Sequence, residues 1–362
     1  MDKQQLLQKI DDLNTTMPWY IQDYVRSKKT SLRADRTIYE YLKEYRRFLE
    51  WLRLDNYIEI EAIADIDYRE LENLPKRKIE DYFITIRDKK FNPETNCYED
   101  RKERLSERTI QRTRAALVSL FNYLTTEIEM DNGEALFDRN VMNKVKFTSR
   151  RETLQARAAS IAPRLFLGDE TQQFLDYIAY RHAGTLNPRA LVSFEKNKER
   201  DLAICAFILA TGLRLNEVVT TDLKNLNLKT MQVDITRKGG VKDTVNIAPF
   251  AKNYLENYLN IRKERYHTTD EDKALFVTTT SRSGSPKRLQ RKGIEDLVAK
   301  YSEGFKIRVT PHKLRHTLAT RLYEATKSQV LVSQQLGHAS TQITDLYVHI
   351  NENEQREAIK HL

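Results

Sequence analysis

Apolar residues recur at helical spacing through most of the first 145 positions of the chain. From residue 31 the segment SLRADRTIYEYLKEYRRFLEWL puts Ile38, Leu42, Tyr45, Leu49 and Leu52 on one side, with Ser31 or Asp35 available as a cap and a cationic far face. A second segment, LSERTIQRTRAALVSLFNYL, carries Ser106 as its cap and Ile110, Leu117, Leu120, Phe121 and Leu124 as its apolar stripe. Two shorter helices fit residues 68–73 and 75–88, and FNPETNCYEDRKER reads as a polar loop. Residues from about 25 to 145 therefore predict a small all-helical bundle.

The pattern changes after residue 144. KVKFTSRRETLQARAASIAPR loses periodicity and holds six Lys or Arg against one Glu, which suits a basic linker. Beyond it helices are expected near 169–182, 198–210 and 214–220. The alternating MQVDIT and DTVNIA then predict a hairpin turning at Gly239 and Gly240. A third short strand is expected at 274–278, with helices from there on, including LVSQQL and TQITDLYVHI, whose Ile343, Leu346 and Ile350 form an inward stripe.

Composition narrows the class. The 362 residues suit two domains, and 40% hydrophobic content gives each a core. The formal charge of +9 favours a polyanionic partner, and a second lopsided stretch, 281–315, with ten basic residues against three acidic ones, strengthens the case for nucleic acid. Cys97 and Cys205 are far apart, and Cys205 lies in the apolar run LAICAFILA, so reduced thiols are expected. No stretch approaches the ~18 uncharged apolar residues of a membrane span, and MDKQQLLQKIDDLN lacks the apolar centre of a signal peptide. A cytoplasmic, nucleoid-associated protein is the expectation. Zinc spacing and a phosphate loop are both missing from the sequence, so no metal or cofactor is expected.

Candidate chemistry gathers toward the carboxyl end. Thr310 and Pro311 suit a helix start, from which His312, Arg315 and His316 project together while Leu314, Leu318 and Leu322 face a neighbour. Such a start favours a phosphate. Earlier in the chain Gly212 ends a helix and Arg214 opens the next, where a guanidinium can grip two phosphate oxygens. Lys238 stands at the hairpin tip, and His338 follows Gly337 after LVSQQL. Tyr347, one of 18 tyrosines, lies beside an apolar stripe, where a tyrosine standing alone is ordinarily packing.

Taken together and in order, ATGLRLNEV, RKGG, HKLRHTLAT and LGHASTQITDLYVH resemble the tyrosine recombinases and integrases. The resemblance covers the whole chain, since the helical region with its SLRADRT and LSERT starts is similar to that family's core-binding domain. It implies a mainly α protein with a small β-sheet (α+β): a helical core-binding domain over 1–150, a basic linker over 151–165 and a catalytic domain over 166–362, forming a C-shaped clamp on DNA. It also implies roles. Tyr347 would attack phosphorus to give a 3′-phosphotyrosyl link, with Arg214 and Arg315 clamping the non-bridging oxygens. A free phenol has a pKa of about 10, so His312 and the cationic pocket would help remove its proton. Lys238 would protonate the leaving 5′ oxygen, and His338 would donate to the phosphate. The loop RKGGVK departs from the family's commoner GKG form, which leaves Lys242 as a second candidate for that acid.

The same resemblance implies double-stranded DNA as partner and a homotetramer on two DNA sites, linked by docking of the terminal helix NENEQREAIKHL in a neighbouring subunit. Strand exchange would pass through a Holliday junction. Residues 1–25 are too few for an arm-binding domain, which points to the Xer group and, through FNPETNCYEDRKER, to its XerS type that works as a single recombinase. That type implies resolution of chromosome dimers at a dif-like site during segregation, with an FtsK-like translocase as a possible partner. A phage or transposon integrase, a type IB topoisomerase and a non-catalytic DNA-binding factor are the competing readings.

Overall fold

The computed structural model describes residues 3–147, 152–237, 239–278, 285–337 and 345–350. The chain divides into two compact units, Met1–Arg150 and Arg151–Leu362.

The first unit is built from helices α1 (Lys3–Asn14), α2 (Trp19–Thr30), α3 (Asp35–Leu54), α4 (Tyr68–Glu72), α5 (Lys76–Asp88) and α6 (Glu107–Thr126). Ile38, Leu42, Tyr45, Leu49 and Leu52 of α3 are all buried, as their spacing requires, and they share one core with Leu117, Leu120, Phe121 and Leu124 of α6. Aromatic rings lock that core. Tyr24 meets Tyr45 and Tyr123 edge to face at 5.4 and 5.3 Å, and the Tyr45 hydroxyl donates to the carbonyl of Ala116. Ser106 caps α6 by accepting from the Thr109 N–H.

Three expectations for this unit change. Neither Ser31 nor Asp35 caps α3: Ala34 holds the cap position without a side-chain bond, and Ser31 closes α2 instead. The bundle also begins before residue 25, because Ile10, Met17, Tyr20, Ile21 and Tyr24 of α1, α2 and the turn between them are buried in it. Finally, FNPETNCYEDRKER is not only loop. Strands β1 (Lys89–Asn92) and β2 (Cys97–Asp100) pair antiparallel, Phe91 opposite Tyr98, with Asn96 in the left-handed region at the turn. Both strands are largely exposed, so they lack the apolar alternation that marks a half-buried strand in sequence.

The second unit contains α7 (Leu154–Ile161), α8 (Glu170–Asp176), α9 (Pro188–Thr211), α10 (Leu215–Thr220), β3 (Leu226–Asn227), β4 (Gln232–Thr236), β5 (Lys242–Asn246), α11 (Lys252–Tyr266), α12 (Arg291–Phe305), α13 (Pro311–Thr326), α14 (Gln329–Leu336) and α15 (Asp345–Ile350). The spine is α9, in which every residue from 202 to 211 is buried, Cys205 among them. It starts ten residues before the expected 198 because Asn187 caps it, accepting from the Ala190 N–H, with Pro188 at the first helical position. β4 and β5 form the expected hairpin, with Gly239 and Gly240 at φ 89° and 82°.

The third strand falls elsewhere. β3 completes a sheet of order β3-β4-β5, whereas residues 274–278 make only isolated bridges, Ala274 with Asp222 and Val277 with Arg288. Nor is 151–165 a bare linker. Thr153 caps α7, and Ala158, Ile161 and Leu165 pack with Leu346 in a small apolar cluster of the second unit. Its apolar side is short and made partly of alanine, too weak a stripe to stand out among arginines. Among the described residues the fold is mainly α with two small sheets.

Trp19 and Trp51 both lie in the first unit, so intrinsic fluorescence follows its unfolding. Leu120 is fully buried, and Leu120→Ala is expected to lower the stability of that unit by about 2 to 5 kcal/mol in urea titrations read at the tryptophans.

Candidate active site

Helix α9 ends at Gly212, whose φ of 65° closes it in the left-handed conformation. A side chain there would also meet the Leu318 and Leu336 methyl groups at 2.8 Å. The chain turns sharply and releases Arg214 at the start of α10. Pro311 sets the start of α13, as expected, although the Thr310 side chain makes no capping bond. Arg315, one turn along, is buried to 2% exposure and donates to the carbonyls of Gly212 at 2.7 Å and Leu336 at 2.9 Å.

Glu217 gathers these cations. Its carboxylate accepts from the Arg214 backbone N–H at 2.7 Å and from Arg214 Nη1 at 3.1 Å. It also lies 3.6 Å from Arg237 and 3.9 Å from Arg315. Arg237, at the end of β4, is itself buried and donates to Asp243 at 2.8 Å and to the carbonyls of Leu336 and Gln335 at 2.8 and 3.3 Å. Arg214 adds a bond to the carbonyl of Gly337 at 3.2 Å. Three guanidiniums thus meet at the carbonyl end of α14 around one buried carboxylate. Burial and the neighbouring Arg214 bring the pKa of Arg315 down to about 10, which still leaves it charged at neutral pH.

Tyr347 enters from α15. It is 1% exposed and packs with Ala319, Val332 and Leu336, while its neighbour Leu346 packs against α7. The phenol oxygen lies 2.9 Å from Nδ1 of His316. Burial pushes the phenol pKa up to about 12, opposed by the charges of Arg315 and Arg157. His316 is held down to about 3 by burial first, then by His312, Lys313, Arg315 and Arg157. His312 is exposed, and its ring meets that of His316 edge-on at 4.5 Å. Burial, then Arg315 and Lys313, lower its pKa too.

Of the six residues expected in the site, Arg214, Arg315, His312 and Tyr347 come together here. Lys238 and His338 lie outside the described residues, one directly after Arg237 and the other directly after Gly337. Lys242 is exposed on β5 opposite Thr236. The ordered boxes assign no role to Glu217, Arg237 or Arg157, and they place His316 beside His312 and Arg315 without a task of its own. Glu217 shows a signal in its spacing three residues after Arg214 at a helix start, and His316 in sharing a helix face with His312 and Arg315. Among the described residues no group of His, Cys, Asp or Glu could hold a metal ion, and no helix is long and apolar enough to cross a membrane.

An assembly of two arginines, a histidine and a phenol is suited to holding a phosphate group while an oxygen attacks it. Comparison with known proteins agrees with that chemistry. The phage integrase family pattern matches residues 168–354. Tyrosine recombinase XerS of Streptococcus pneumoniae (strain CGSP14) is 53% identical over 363 aligned residues, covering all of both chains. The chain belongs to the tyrosine recombinase family.

Tyrosine recombinase XerS of Streptococcus equi subsp. equi (strain 4047) is likewise 53% identical over the full length of both proteins. Among solved structures, a XerH site-specific recombinase bound to a palindromic difH substrate, in a post-cleavage complex, shares the fold. Its TM-score is 0.63 at 20% identity, covering 94% of each chain. The pre-cleavage XerH complex gives a TM-score of 0.60 at 18% identity over 97% of this chain and 96% of that one. As a tyrosine recombinase, the protein is a DNA-breaking and rejoining enzyme that carries out site-specific recombination.

Two outcomes follow from the buried charges. Glu217→Gln leaves three guanidiniums without their carboxylate and is expected to destabilise the second unit by about 3 to 5 kcal/mol in calorimetry. The second concerns His316. Its folded pKa of about 3 lies below the ordinary 6.5, so the folded state binds fewer protons. The stability it contributes is full above pH 6.5 and is lost as pH falls toward 3. Thermal midpoints measured from pH 7 to 5 should fall more steeply for the wild type than for His316→Gln.

Proposed function

We propose that this recombinase cuts DNA with Tyr347, forming a 3′-phosphotyrosyl link, while Arg214 and Arg315 hold the non-bridging oxygens of the scissile phosphate. The observation that carries the reading is the position of the Tyr347 phenol, buried within electrostatic reach of Arg315 in the cluster that also gathers Arg214 and His312. A neutral phenol needs both a proton acceptor and a stabilised transition state, and fixed guanidiniums supply the second without reorganising. His312, exposed at the start of α13, is assigned to help remove the phenol proton, and His338 to donate to the phosphate. Lys238, the residue that follows the buried Arg237 in sequence, is assigned the proton for the departing 5′ oxygen, with Lys242 as the other candidate.

The link conserves the energy of the broken bond, so attack by another strand's 5′ hydroxyl rejoins DNA. Double-stranded DNA is the partner, bound by a core-binding domain within 1–150 and a catalytic domain within 166–362. The biological role we infer is resolution of chromosome dimers at a dif-like site during segregation, through a Holliday junction held by a homotetramer with exchanged terminal helices and activated by an FtsK-like translocase. The full-length identity to XerS supports this over a mobile-element integrase. The place of action is then the cytoplasmic nucleoid.

A nicked suicide duplex carrying the recognised site tests the chemistry. Wild-type protein should accumulate a covalent adduct, and Tyr347→Phe should form none. Arg214→Ala and Arg315→Ala should each slow adduct formation by about 10²- to 10³-fold or more. An adduct with Tyr347→Phe would refute the assignment.

A further inference from the structure

The phenol that this reaction uses is in contact with a residue to which the mechanism so far gives no part. Its oxygen is 2.9 Å from Nδ1 of His316, a direct hydrogen bond, and the two rings stand 5.6 Å apart at their centroids. Both side chains are buried, so bulk water does not compete for that contact. A neutral imidazole has one nitrogen that accepts and one that donates. Buried among cations, His316 is neutral, and its Nδ1 faces the one hydroxyl that must lose a proton for attack.

We propose that His316 is the proton acceptor for Tyr347, its Nδ1 taking the phenol proton during cleavage and returning it during rejoining. The inference rests on the strand-exchange reading above. In the forward step a bond forms between phosphorus and the Tyr347 oxygen and the bond from phosphorus to the 5′ oxygen breaks. The phenol proton moves to Nδ1 of His316, and the 5′ oxygen takes a proton from the general acid assigned to Lys238. In the reverse step a 5′ hydroxyl attacks and gives its proton back to that lysine, while the His316 imidazolium protonates the departing phenol. His312, exposed and in edge contact with His316, is thereby assigned to the phosphate.

The surrounding charges tie this step to substrate. His312, Lys313 and Arg315 on α13 and Arg157 on α7 all oppose a positive charge on His316, and α15 contributes Tyr347 itself. In the free protein the ring is therefore a weak base and the tyrosine keeps its proton. A phosphodiester anion gripped by Arg214 and Arg315 offsets those cations and strengthens the ring as a base. Proton removal then coincides with correct placement of DNA.

The test is single-turnover cleavage of the nicked duplex, with either an ordinary scissile phosphate or one whose bridging 5′ oxygen is replaced by sulfur, a leaving group that needs no proton. His316→Ala should slow cleavage by about 10²- to 10⁴-fold at pH 7. The loss should persist on the sulfur substrate, shrink with added imidazole, and shrink as rising pH ionises the phenol. His316→Asn keeps a hydrogen-bond acceptor near the same place but cannot take up a proton. It should lose rate to a similar extent while retaining DNA affinity and thermal midpoint, which separates proton transfer from packing. Cleavage by either variant at the wild-type rate, or a loss that the sulfur substrate abolishes, overturns the proposal. Wild-type protein forming no adduct would instead refute the underlying function, so the two failures are distinguishable.

Discussion

The second unit is organised around the buried carboxylate of Glu217. A carboxylate removed from water is stable only when its charge is matched and its oxygens are bonded. Here that is met by Arg214 at its own helix start, Arg237 from the sheet and Arg315 from α13. The guanidiniums carry the constraint outward. Their remaining N–H groups take carbonyls at the end of α14 and at Gly212, groups that a helix terminus leaves without partners. One acidic side chain thereby fixes the mutual position of α9, α10, the β4–β5 hairpin, α13 and α14.

Rigidity of this kind serves phosphate chemistry, because oriented charge stabilises a transition state most when it need not move. It also limits what the backbone can be. Gly337 has φ 62°, and a side chain there would strike the Arg237 guanidinium at 2.3 Å, so the end of α14 must be glycine for a reason of geometry and of charge together. The proposed nucleophile is held differently. Tyr347 rides on the short helix α15, wedged between apolar residues of α13 and α14 on one side and α7 on the other. Packing, rather than a salt bridge, sets its place.

The parts of the structure that were legible in the sequence were those with a strong period or a strong local rule. Ile38 to Leu52 of α3 and the Ser106 cap followed from helical spacing and capping chemistry, and Gly212, Gly239 and Gly240 announced turns that only positive φ allows. Ordered boxes brought out Arg214, His312, Arg315 and Tyr347. What stayed hidden has physical reasons. The β1–β2 hairpin buries too little to alternate. Residues 274–278 are apolar because they enter the core, which an isolated bridge does as well as a strand. Arg237 and Glu217 look like surface residues in sequence, and their burial is visible only once three distant elements meet.

Helix α7 bears on how modular such a protein can be. Ala158, Ile161 and Leu165 support Leu346, next to Tyr347, and Arg157 on the same helix lowers the cost of ionising the phenol. A segment that begins its half of the chain is therefore bound up with the chemistry at the far end of that half. Any exchange of DNA-reading modules between relatives, by evolution or by the engineer, would have to join the chain ahead of Thr153 to keep the tyrosine seated.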